Sequence, residues 1–106
     1  MIKYASMIVL DDKDNVVTVL KNRPEWQAGQ YNFPGGHVEG TESFIACAIR
    51  ELYEESNIVA PLHKVKHVGN VSDDKNFILR VFMVSLPHDE LVKELKTKMI
   101  EGYSPQ

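Results

Sequence analysis

Apolar and polar positions divide the chain into segments of two different periods. Ile2 to Leu10 and Val16 to Leu20 are short runs rich in β-branched residues, separated by Asp11-Asp12-Lys13-Asp14-Asn15. That polar cluster predicts a turn, and the two runs predict a hairpin. From about Ser43 to Glu55 the period changes. Phe44, Ile45, Ala48, Ile49 and Leu52 recur at helical spacing and predict an amphipathic helix with its apolar stripe on a core. Leu62 to Val71 alternates in part and reads as a strand. Phe77 to Leu86 is the most nearly continuous apolar run, predicting a central strand buried on both faces. After Pro87, Leu91, Leu95 and Met99 stand at four-residue spacing, with acids before and lysines after, and predict a second amphipathic helix over Asp89 to Met99. Glu101 to Gln106 reads as a loop. The alternation of strands and helices fits an α/β fold with a mixed sheet.

The connections carry their own signals. The stretch from Lys21 to Gly36 is polar and punctuated by Pro24, Gly29 and Pro34, the composition of a functional loop on a rigid scaffold. Ahead of the first helix, Thr41 is a candidate N-cap, with Glu42 in the first turn, where negative charge meets the positive end of the helix dipole. At its far end Ser56-Asn57-Ile58 reads as a stop, with Asn57 left-handed and Ile58 folded back on the last turn.

Length and composition narrow the choices. At 106 residues with 43% hydrophobic content, the chain suits one domain with an ordinary core. A formal net charge of −3 gives no reason to expect wrapping of a nucleic-acid backbone or docking on an anionic membrane. The single cysteine cannot form an internal disulfide, and the first residues lack the pattern of a signal peptide, so a cytoplasmic location is expected. Cys47 sits in the first helix without a His or Asp at catalytic spacing, so helix packing is its expected role. The Asp11 to Asn15 cluster lacks the glycine and later glutamate of a calcium loop and is expected to be solvated. His63 and His67 fall in the strand reading, where four-residue spacing does not gather zinc ligands.

The chemistry concentrates in that first helix. Glu51, Glu54 and Glu55 occupy i, i+3 and i+4, which puts three carboxylates on one surface. Like charges so placed each cost a few tenths of a kcal/mol unless a cation intervenes. Carboxylate oxygens suit a hard ion such as Mg²⁺ or Mn²⁺. Glycines at 35, 36 and 40 let the backbone of the preceding loop come close to a ligand or metal.

In register, Gly36, Glu42, Arg50, Glu51, Leu52, Glu54, Glu55 and Ile58 resemble the box of the Nudix family, G-x5-E-x7-R-E-U-x-E-E-x-G-U with U a bulky aliphatic. Asn57 replaces the last glycine, a conformationally matched swap because Asn tolerates positive φ. Chance agreement at the six Gly, Glu and Arg positions has a probability of roughly 10⁻⁷ per starting point.

The resemblance implies an α/β/α sandwich with a mixed β-sheet, short at the C-terminus. Residues 1–106 would then form a single Nudix hydrolase domain, in which either the helix after Pro87 takes the place of the family's terminal helix or the chain is a shortened form. It implies a hydrolase that breaks a phosphoanhydride bond in a nucleoside diphosphate linked to another group, with a nucleoside triphosphate favoured. The alternative is a Nudix-like module that senses a nucleotide without cleaving it. The metal ligands implied are Gly36, through its carbonyl, with Glu51, Glu54 and Glu55, holding Mg²⁺ for which Mn²⁺ can substitute. Glu54, Glu51 and Arg50 would be the catalytic groups, with Glu42 the expected partner of Arg50 across the loop. Lys21, Arg23 and Phe33 would face the substrate, and a remote carboxylate would come from Glu101, ahead of Glu90. The partner implied is a small nucleotide, with no membrane, a nucleic acid disfavoured and a homodimer left open.

Overall fold

The structure, a computed structural model, describes residues 1–20, 31–95 and 102–105. Strand β1 (Ile2–Leu10) is its axis. Its alternation places Ala5, Met7 and Val9 in the core with no exposed surface, while Tyr4, Ser6, Ile8 and Leu10 remain partly open. Strand β2 (Asn15–Leu20) returns antiparallel with Leu10 opposite Val16, as the hairpin reading requires. Two short strands follow: β3 (Tyr31–Asn32) on β2, and β4 (Gly35–His37) on β1.

Helix α1 (Phe44–Ser56) comes next. A 3₁₀ turn at Leu62–Lys64 leads to β5 (Lys66–Ser72), followed by β6 (Phe77–Ser85), helix α2 (His88–Leu95) and β7 (Gly102–Pro105). The sheet order among the described residues is β3-β2-β1-β6-β5, with β4 also on β1 and β7 on β2. The sheet is mixed, as expected: β1 and β6 run parallel from Ile2 opposite Phe77 to Leu10 opposite Ser85, and the other pairs are antiparallel.

One edge of β1 is taken along its length by β6. The opposite edge is divided, with β4 on Tyr4 to Ser6 and β2 reaching it at Leu10. This division brings the backbone of β4 beside α1, and so positions the site. Cys47, Ala48 and Leu52 of α1 are buried in the same cluster as Ala5, Met7, Val9 and Val17.

Several expectations are corrected. The N-cap of α1 is Ser43, whose Oγ accepts from Ala46 N at 3.1 Å, so neither Thr41 nor Glu42 opens the helix. Strand β6 buries only Phe82 and Val84 and is half-open elsewhere, because β5 beside it is exposed along nearly its whole length. His63 lies in the 3₁₀ turn rather than a strand. Residues 102–105 pair with β2 rather than forming a loop. The part of the second helix expected over 96–99 lies outside the described residues.

The Asp11 turn is the largest departure. The Asp11 side chain has no exposed surface: Oδ1 accepts from Lys13 N and Asn15 N at 2.8 Å, and Oδ2 lies 2.6 Å from His88 Nδ1. Asp12 Oδ1 accepts from His88 N, so the turn caps the start of α2. No helix among the described residues is long and apolar enough to cross a membrane.

Asn57 has φ of 66° and donates its N–H to Tyr53 O, the left-handed cap expected at the end of α1. Asn57→Gly should leave thermal stability unchanged or slightly raised, and Asn57→Val should cost about 1 kcal/mol or more in chemical denaturation.

Candidate active site

The site is built where β4 and the loop after it meet α1. Backbone comes first. A Cβ on Gly35 would lie 2.5 Å from Ala5 O, so this position admits only glycine while β4 stays paired to β1. A Cβ on Gly36 would lie 2.6 Å from Glu51 Cδ, which means that the carboxylate rests against bare backbone. Gly35 N in turn donates to Glu55 Oε1 at 3.2 Å. Two consecutive glycines therefore bring main chain against two of the three helix acids.

Arg50 organises the remaining charge. Its Nε and Nη2 donate to the two oxygens of Glu42 at 3.1 and 2.7 Å, the bidentate fork that suits guanidinium to carboxylate. Nη1 donates to Glu51 Oε1 at 2.9 Å and to Glu54 Oε2 at 3.1 Å. Nη2 also donates to His37 O at 3.1 Å, which ties the loop to the helix. Glu39 Oε1 stands 3.8 Å from Nη1.

The charges respond accordingly. Hydrogen bonding from Arg50, then from Glu39 N–H, holds the Glu42 carboxyl down at about 2. Hydrogen bonding to Glu42 is also the chief reason that the Arg50 guanidinium is held still more firmly in its charged form. Cys47 goes the other way. Burial, reinforced by the negative charge of Glu42, raises its thiol to about 12. Its Sγ donates to His37 O at 3.3 Å and contacts Gly36 O at 3.6 Å, so Cys47 packs the junction and is no nucleophile at neutral pH.

The structure thus brings together Gly36, Glu42, Arg50, Glu51, Glu54 and Glu55. Phe33 is 42% exposed just ahead of β4. Lys21, Arg23 and Glu101 lie outside the described residues, and Glu90 is in the first turn of α2. Sequence reading missed His37 and Glu39 as partners of Arg50. His37 acts through its carbonyl, which leaves no signature in residue type, and Glu39 has no offset that marks it.

Whether these residues suit a divalent ion is decided by donor chemistry and by the Gly36 contact. Glu51, Glu54, Glu55 and the Gly36 carbonyl are all hard oxygen donors, and Glu51 already sits in a notch that any side chain at position 36 would fill. The donor set fits. Among the described residues no three acidic, His or Cys side chains are gathered as a ligand set, because Glu51 and Glu54 are turned to Arg50.

The model of the NUDIX family, described as NUDIX domain, matches residues 2–104. Phosphatase NudJ of Escherichia coli (strain K12) is 37% identical over 68 residues, which cover 56% of this chain and 44% of NudJ. The chain spans less than half the length of the curated relatives it matches. Among solved structures, NrtR of Shewanella oneidensis aligns with a TM-score of 0.80 at 15% identity, over 99% of this chain and 52% of that one. NrtR has also been solved with a 27mer DNA, and its NUDIX domain with ADP ribose. A bifunctional NMN adenylyltransferase/ADP ribose pyrophosphatase from Francisella tularensis, solved with AMP and a manganese ion, aligns with a TM-score of 0.60 at 22% identity, over 80% of this chain and 27% of that one. At such identities the two structures establish the fold alone.

Two predictions follow from the geometry. Because the folded carboxyl of Glu42 is held near 2, below its ordinary 4.5, its contribution to stability is complete above about pH 4.5 and is lost as pH falls toward 2. The melting-temperature gap between the parent and Glu42→Gln should be widest at neutral pH and should close across that window. Gly36→Ala should push the Glu51 carboxylate off its seat; with only a flexible side-chain end to move, it should keep the melting temperature within a few degrees while separating Glu51 from Arg50, read as loss of the 2.9 Å contact in a crystal structure of the variant.

Proposed function

The chain belongs to the NUDIX domain family, and from that premise we propose that it is a divalent-metal-dependent hydrolase of a phosphoanhydride bond in a nucleoside diphosphate linked to another group, a nucleoside triphosphate being favoured. The observation that carries this reading is the convergence of Glu51 and Glu54 on one nitrogen of Arg50 beside the bare backbone of Gly36. A face that only needed to be solvated has no use for such a gathering.

Glu51, Glu54, Glu55 and the Gly36 carbonyl would hold Mg²⁺, or Mn²⁺ in its place. Bound there, the ion would offset the charge of the diphosphate and lower the pKa of a coordinated water. The chain's residues supply the rest. Glu54, 54% exposed on its side chain, is the helix acid best placed to accept a proton from the attacking water; its neighbour Glu51 is 16% exposed. In the reaction the water oxygen bonds to phosphorus, the bridging P–O bond breaks, and the proton passes to the carboxylate. Arg50 orients both acids while Glu42 anchors Arg50. Phe33, exposed beside β4, is available to pack against the nucleoside. Lys21 and Arg23 are assigned to the substrate phosphates and Glu101 to a remote carboxylate, from the resemblance alone. The cytoplasmic assignment rests on the single, buried Cys47, which has no second cysteine in the chain to pair with.

The test is a product-resolved screen of nucleoside triphosphates, ADP-ribose-like compounds, dinucleoside polyphosphates and capped RNA ends with Mg²⁺ and Mn²⁺. Glu54→Gln and Glu55→Gln should each cut turnover by roughly 10²-fold or more at unchanged fold. Nucleotide binding by the parent without any turnover would replace the hydrolase by the sensor. Glu101→Gln should lower turnover by ~10² to 10⁴ if that residue is the base, and a rate within about twofold of the parent leaves the helix glutamates as the only acids in the step.

A further inference from the structure

On the α1 side of the sheet, at the start of the helix, two cations stand beside one aromatic ring. Arg80 of β6 lies opposite Ala5, and Lys3 of β1 stands two residues before Ala5, so both project from the same sheet face. The guanidinium of Arg80 is 4.2 Å from the centre of the Phe44 ring, and Lys3 Nζ is 5.9 Å from it. Phe44 is the first residue of α1 and packs against the core, so the ring is a fixed platform.

Neither cation has an ion-pair partner among the described residues, and Arg80 Nε is buried without a hydrogen-bond acceptor. This is an unusual allocation in a chain with 15 acidic residues and 12 basic ones. Arg50 holds Glu42, Glu51 and Glu54, so several carboxylates gather around one guanidinium while another, on the same side of the sheet, has none among the described residues. An open cavity of about 400 Å³ adjoins the ring, lined by Ile2, Lys3, His37, Thr41, Glu42 and Phe44. Its one carboxylate, Glu42, is already matched by the Arg50 fork and leaves little negative charge to repel an anion.

We propose that Lys3 and Arg80, set around Phe44, form a metal-independent binding site for a diphosphate group, separate from the acidic face of α1. A guanidinium locked by stacking offers a planar donor edge to phosphate oxygens, and a flexible ammonium within 6 Å of the same ring supplies a second charge to a neighbouring phosphoryl group. The cavity of about 400 Å³, which Lys3 and Phe44 line, has room for a nucleoside attached to the diphosphate. The diphosphate can be free pyrophosphate or the end of a nucleotide.

The experiment is a calorimetric titration of the full chain with inorganic pyrophosphate, and separately with ADP, in excess EDTA. Binding should persist without metal, should survive Glu54→Gln, and should weaken at least tenfold in both Lys3→Met and Arg80→Met, which keep apolar stems over the ring. Tighter binding of ADP than of pyrophosphate supports the site with a nucleoside in the cavity, and equal binding supports it with the diphosphate alone. Binding that appears only with Mg²⁺ and vanishes in Glu54→Gln overturns the proposal, as does equal affinity in the parent and both variants. If Arg80→Met fails to fold, protection of Lys3 from amine acetylation by pyrophosphate in the parent is the second measurement, and no protection overturns the site. Because the titration excludes metal, its failure leaves the hydrolase reading untouched, and loss of hydrolysis leaves this site untouched.

Discussion

The site depends on how one guanidinium is divided. Three glutamates at i, i+3 and i+4 repel one another, and a fourth acid, Glu42, approaches from the loop before the helix. Arg50 meets this crowd with two separate edges. The Nε–Nη2 edge is committed to Glu42, and Nη1 is shared by Glu51 and Glu54. With Nη2 also donating to His37 O, the loop from His37 to Glu42 is drawn onto α1 by a side chain eight positions beyond its end. Both partners of the fork shift in the direction that strengthens it: Glu42 is held acidic and Arg50 is held charged.

Charge alone would not set the distances. Gly35 and Gly36 remove the side chains that would separate β4 from β1 and from Glu51, so the backbone takes part where a larger residue would force a gap. The pairing of Ala5 with Gly36 and of Ser6 with Gly35 fixes the height of that backbone along the sheet. Met7 N donating to Pro34 O extends the register one step back, and the buried Cys47 thiol pins the other end through His37 O. A helix acid, a sheet strand and a loop carbonyl are thereby held to one another through contacts that each have main chain on at least one side.

This explains which parts of the site could be read from residue order. The acidic face of α1 was legible because helical geometry turns fixed offsets into fixed neighbours, and the left-handed Asn57 was legible because few residue types tolerate positive φ. The N-cap was misplaced because Thr41 and Ser43 are both competent caps. Arg50 draws Glu42 aside into the fork, and Ser43 then opens the helix. The Asp11 turn read as solvated since nothing within the turn covers it, whereas His88, 77 positions later, does. Strand β7 carries no alternation in Gly102 to Pro105 and exists through its pairing with β2. The Asp11 turn and β7 share one cause, a partner distant in sequence, whereas the N-cap is settled within a few residues.

The two edges of Arg50 also differ in what they would lose if the acids were put to work. Turning Glu51 and Glu54 toward a hard cation would take away the two acceptors of Nη1, and the cation would then relieve the like-charge repulsion that Nη1 relieves in the resting protein. The fork to Glu42 shares no acceptor with that exchange, so Arg50 would keep its position and the loop would stay docked. An arginine bound only to the helix acids would be released whenever they turned away. An arginine bound only to Glu42 would leave three glutamates repelling one another in the resting protein. Splitting the guanidinium between an anchoring carboxylate and two exchangeable ones meets both demands, and it requires the seven-residue interval between Glu42 and Arg50 to span the end of the loop and the first two turns of α1, as it does.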